Sequence, residues 1–145
     1  MRGRLYAVTV PADSRYLKVI RAFFQSVLKD LEVDAQMLVL ALDESCSNIV
    51  KHRRAVLQDN VIRVRAEVLP GMIRFHIGDF CGQEDVPNIK PRDLSEVRPG
   101  GLGTHFIGEI MDRVAFEPDS PDRPDRLALV LEKSLPNGEA RDGSV

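Results

Sequence analysis

The chain has 145 residues, is 43% hydrophobic and 29% charged, and carries a formal net charge of −2. That length suits one domain with a real core, without metals or disulfides, and the composition excludes an intrinsically disordered chain. So small a net charge names no partner class, and nothing resembles a basic arm for nucleic acid. The densest basic run, Lys51, His52, Arg53 and Arg54, suits a helix C-terminus. Cys46 and Cys81 fall in no CxxC pattern, which leaves no zinc or thioredoxin-like signature and suits a reducing compartment. No apolar run approaches a bilayer span, and the first residues lack the apolar stretch of a signal peptide. The expectation is a cytoplasmic protein without membrane or direct nucleic-acid contact.

In chain order, residues 4–10 suit a strand ended by Pro11, with Asp13 or Ser14 able to cap the next helix. Residues 15–31 carry Leu17, Ile20, Phe24, Val27, Leu28 and Leu31 at three- and four-residue spacing, which predicts that this helix is amphipathic. Asp34 is placed to cap a second helix over 35–53, with Leu38, Ala41, Leu42, Ser45 and Ile49 on its inner stripe. Residues 61–69 and 72–77 both alternate around Pro70-Gly71, which predicts a hairpin with a type II turn and one wet face. Residues 82–100 lack periodicity and read as a functional loop or lid. A helix is expected over roughly 102–112, a short strand over 114–117, a turn-rich insert over 118–125 and a final strand over 126–133. Residues 1–135 are expected to form a single domain and 136–145 a polar tail. The order predicts an α/β two-layer sandwich: a mixed, mostly antiparallel sheet with helices on one face.

Three local features can carry chemistry. Glu44 and Asn48 are four residues apart on the second helix, so they stack on one face beside the apolar stripe. Asp79 follows the strand with the parity of Ile77, so a regular strand would end its buried row on a carboxylate that needs a donor. Gly100-Gly101-Leu102-Gly103 enters a helix whose first amides can then approach phosphate oxygens. An asparagine oxygen suits Mg²⁺, and a glutamate one turn away suits general-base work. Taken singly, each has an ordinary structural explanation as a surface pair, a turn former or a tight turn. Their order along helix, strand end, loop and helix start is what makes a nucleotide site.

Those segments resemble a known family. LALDESCSNIVKH resembles the asparagine box of the histidine-kinase-like ATPases, IGDFCGQEDVP the first glycine box, and RPGGLGTHFIGEIMDRV the second as found in bacterial anti-sigma factor serine/threonine kinases. The resemblance covers about residues 5–133 and implies the Bergerat-type ATP-binding fold. It implies ATP and Mg²⁺ as cofactors, Glu44 as catalytic base and Asn48 as the Mg²⁺ ligand. It also implies Asp79 at the adenine amino group, with Gly82, Gly101, Leu102, Gly103 and Thr104 also on the nucleotide and residues 83–99 as a lid. The implied activity is phosphorylation of a serine or threonine on a STAS-domain antagonist by a kinase that binds and inhibits a sigma factor, often as a homodimer. The chain departs from the family where two glycines are usual after the aspartate: Cys81 and Gln83 stand there, with Gly82 between them. That departure motivates the alternative of a catalytically weak or inactive module of the same fold that holds a sigma factor or antagonist. A stand-alone ATPase, or a cofactor of a larger signalling assembly, is a third reading, with no positive sign in the sequence.

Overall fold

The computed structural model describes residues 3–31, 33–53, 60–81, 107–120 and 123–136. Five strands form one sheet: β1 (Arg4–Pro11), β2 (Val61–Leu69), β3 (Met72–Cys81), β4 (Arg113–Ser120) and β5 (Arg123–Ser134), in the spatial order β1-β2-β3-β5-β4. All four pairings among the described residues are antiparallel, in keeping with the mostly antiparallel sheet expected. Helices α1 (Leu17–Leu28) and α2 (Ala35–Arg53) lie between β1 and β2 in sequence.

The alternation in the sequence decides which face of the sheet is buried. Ile62, Val64 and Ala66 on β2, Ile73, Phe75 and Ile77 on β3, and Leu127, Leu129 and Leu131 on β5 are all buried and share one core with α1 and α2. The Phe24 ring of α1 meets Phe75 of β3 edge to face, with centroids 5.8 Å apart. Burying one such side chain stabilises the fold by about 1.5–3 kcal/mol, which is why the helices cover this face. The register puts Glu67, Arg74, Glu132 and Arg113 in one row across the opposite face. Arg74 Nε donates to Glu132 Oε2 at 2.8 Å, and Arg113 contacts both Glu132 and Glu117. The Glu132 hydrogen bond is the main cause that holds the Arg74 guanidinium above its usual pKa. That face is not uniformly wet, because its β5 positions Ala128 and Val130 are buried as well.

Local chemistry explains the joints. Asp13 accepts from the Arg15 amide at 2.9 Å, and the chain enters α1 through a 3₁₀ turn at Ser14–Tyr16, not through α-helix from residue 15. Asp34 Oδ1 accepts from the Met37 amide at 3.2 Å, satisfying one of the donors that a helix start leaves open. We expect Asp34→Ala to lower stability by about 0.5–2 kcal/mol with no change in fold; a denaturant melt with an unmoved midpoint would show that the cap contributes nothing. Gly71 has φ +80°, as the second central residue of a type II turn requires, and Leu69 pairs directly with Met72 across it.

The second half departs further from expectation. Of the helix expected over 102–112, residues 107–110 are described and are helical, and the Met111 amide donates to the Ile107 carbonyl at 3.0 Å. Asp112 then ties β4 to the far end of β5: its Oδ2 accepts from the Ser134 amide at 2.7 Å, the main cause of its lowered pKa. The expected turn-rich insert over 118–125 is largely strand, since β4 runs to Ser120 and β5 begins at Arg123, with those two residues paired. Pro118 is tolerated there because β4 is an edge strand, which can leave one ladder position without an N–H donor.

Candidate functional site

Helix α2 presents two different flanks. Its inner arc, Leu38, Ala41, Leu42, Ser45, Cys46, Ile49 and Val50, is buried. Ser45 Oγ donates back to the Ala41 carbonyl at 2.8 Å, and burial, helped by the Asp43 charge, pushes the Cys46 thiol far up in pKa. Both are packing groups, since an un-ionised buried thiol is inert. On one flank Asp43 Oδ1 accepts from Arg21 Nη1 of α1 at 2.8 Å. At about 100° per residue, Glu44 and Asn48 fall on the other flank, turned away from that ion pair. Both are half-buried, as the four-residue spacing implied.

Asn48 carries the most informative detail. Its Nδ2 is buried and has no hydrogen-bond partner among the described residues. An unmet buried donor costs about 1–3 kcal/mol, and native structures rarely leave one without a functional reason. The carboxamide offers two N–H donors and a hard oxygen acceptor, and the carboxylate of Glu44 stands one turn away. That donor set fits a phosphate group with its Mg²⁺, where a hard cation takes few protein oxygens and the remainder from phosphate and water.

Asp79 lies on β3, in the middle of the sheet. The strand does not end before it, as expected, but continues through Cys81. The ladder to β5 pairs Gly78 with Ala128 and then Phe80 with Leu127, so Asp79 is the extra residue of a β-bulge. The regular strand geometry that the parity argument assumed is interrupted at Asp79 by this bulge. Gly78 is a residue that alternation alone does not single out. A Cβ built on it would lie 2.8 Å from the Leu127 carbonyl oxygen and 2.9 Å from Ala128 Cα. The available signal was a glycine inside an otherwise alternating strand, which marks a bulge or a close backbone approach.

The structure therefore brings Glu44 and Asn48 onto one flank of α2 and sets Asp79 on β3. The two elements share a core, with Leu42, Cys46 and Ile49 in the same buried cluster as Ile77. Gly82, Gly101, Leu102, Gly103 and Thr104, and the lid expected over residues 83–99, lie outside the described residues.

Residues 10–130 match the family model described as the histidine kinase-like ATPase domain. The chain belongs to the histidine kinase-like ATPase family. Within this family it is similar to the serine-protein kinase RsbW of Staphylococcus aureus strains MSSA476, MW2 and Newman. Each is 30% identical over 125 residues, covering 77% of this chain and 77% of the relative. That family is named for an ATPase domain, and these relatives are named as serine-protein kinases. The antiparallel sheet with helices on one face is the family's α/β sandwich, and the matched region spans both α2 and the bulge of β3. Among the described residues, no helix is long and apolar enough to cross a membrane.

Proposed function

We propose that this protein is an ATP-dependent serine/threonine kinase acting as an anti-sigma factor in a partner-switching pathway. The observation that carries the proposal is the buried Nδ2 of Asn48, without a partner among the described residues, on the same α2 flank as Glu44 in a chain similar to a serine-protein kinase. In this reading Asn48 holds the Mg²⁺ that accompanies ATP, and Asp79 accepts a hydrogen bond from the adenine amino group. Gly82, Gly101, Leu102, Gly103 and Thr104 contact the nucleotide. Bound Mg²⁺ neutralises charge on the phosphates.

Glu44 takes the proton of the attacking hydroxyl as that oxygen bonds to the γ-phosphorus and the bond to ADP breaks. Positioning and electrostatics account for most of the rate in phosphoryl transfer, and a well-placed carboxylate base adds to them. Residues 1–135 act as one domain, in the cytoplasm and as a homodimer, on a sigma factor and a STAS-domain antagonist.

The test is transfer of label from γ-labelled ATP to single-domain STAS proteins encoded in the same genome. Label on a serine or threonine that depends on this protein is expected. Absence of label on every such candidate, with ATP bound, removes the kinase reading. One observation favours the alternative of a non-phosphorylating module that holds the same partners: Cys81 and Gln83 occupy positions where the family usually has glycines. A module of that kind binds its protein partner with the same affinity with and without ATP.

A further inference from the structure

The contact between Gly78 and Ala128 stands immediately before the bulge at Asp79. An alanine at residue 78 would set its Cβ against two backbone atoms of β5, Leu127 O at 2.8 Å and Ala128 Cα at 2.9 Å, and against Ala128 Cβ at 3.2 Å. A flexible side chain could move out of the way, but a paired backbone cannot do so cheaply. The two strands therefore run closer at this pair than any residue with a side chain permits.

The next residue is the one that leaves the ladder. Phe80 and Cys81 take the register positions opposite Leu127 and Arg126, which Asp79 and Phe80 would occupy without the bulge. Spreading β3 from β5 at residue 78 removes the close pair that precedes the inserted residue. The ladder can then return to a regular register, which would move Asp79 into the position opposite Leu127.

From this geometry we propose that Gly78 is a positioning residue for base recognition: its close approach to Ala128 fixes the bulge that places Asp79. The inference rests on the reading of Asp79 as the acceptor for the adenine amino group. It explains why a residue that weakens strands sits in the middle strand of this sheet.

The experiment compares ATP with purine riboside triphosphate, which lacks the amino group, by calorimetric titration of the full chain with Mg²⁺ present. Wild type is expected to prefer ATP by about tenfold or more, the worth of one hydrogen bond to a charged acceptor. Gly78→Ala is expected to lose most of that preference while keeping its affinity for the analogue. A merely destabilising change would weaken both nucleotides together and leave the ratio alone, and that result overturns the proposal. Asp79→Ala, which removes the acceptor, separates the two ideas. If it leaves the preference intact, the reading of Asp79 falls and the role of Gly78 falls with it. If it removes the preference and Gly78→Ala does not, only the role of Gly78 falls. Should Gly78→Ala fail to fold, the wild-type Ala128 amide resonance serves instead. It is expected to move on adding ATP and to stay still with the analogue, and an amide that responds equally to both overturns the proposal.

Discussion

Asn48→Ala is expected to weaken Mg-ATP binding by about tenfold or more while leaving the folded protein at least as stable. The two effects have opposite signs because Asn48 Nδ2 is unsatisfied among the described residues. That buried donor gives the free state a desolvation cost of about 1–3 kcal/mol that alanine removes. Against this stands the lost packing of a short, half-buried side chain, which is smaller than the loss from emptying a core position. Bound nucleotide reverses the balance, because the amide then finds its acceptor and its oxygen reaches the cation. Calorimetry with a non-hydrolysable ATP analogue and Mg²⁺ reads the first effect, and urea unfolding of the free protein reads the second. A variant that is less stable and binds nucleotide normally would make Asn48 a structural residue. Retaining a strained group where a ligand docks is the usual stability–activity trade.

What the sequence made legible was whatever depends on neighbours along the chain. The β2–β3 hairpin was readable from alternation and from Pro70-Gly71, whose geometry is local. The cap at Asp34 and the shared flank of Glu44 and Asn48 come from helical spacing alone. Gly78 inside an alternating strand was a local hint of irregularity, but that Asp79 is the inserted residue is defined only relative to β5, a strand far along the chain whose place beside β3 no local pattern encodes. The same holds for Gly78, whose need for a bare Cα lies in the distance to Leu127 and Ala128. Turn-forming composition around Pro118 pointed to an insert, yet pairing with β5 carried β4 through to Ser120. Cross-strand hydrogen bonds override local preference there because the edge position removes the usual objection to proline. Thus the residues proposed for the triphosphate and metal end of the site were visible as a spacing, whereas the device proposed for the base end required the sheet.

Glu44→Ala is expected to reduce phosphoryl transfer by about 10²- to 10⁴-fold while leaving nucleotide affinity close to wild type. The neighbouring carboxylate does not substitute for it. Asp43 sits on the opposite flank of α2, engaged with Arg21 of α1 at 2.8 Å, and rotating it to the Glu44 side would require the helix to turn by about 100°. Asp43→Asn is therefore the matched control: it weakens a partly exposed ion pair worth at most about 1 kcal/mol and leaves transfer intact. Glu44→Gln refines the assignment, since it preserves length and hydrogen-bonding shape and removes only the ability to take a proton. A base predicts that glutamine is nearly as damaging as alanine, whereas a residue that only orients the hydroxyl by hydrogen bonding predicts substantial recovery. Single-turnover transfer to the phosphorylated partner, with nucleotide saturating, separates the chemical step from binding. If alanine, glutamine and wild type all transfer at the same rate, the proton leaves by another route and the α2 flank serves nucleotide binding through Asn48 alone. If none of the three transfers label while all bind ATP, the non-phosphorylating module is favoured, and partner affinity without nucleotide becomes the quantity that decides.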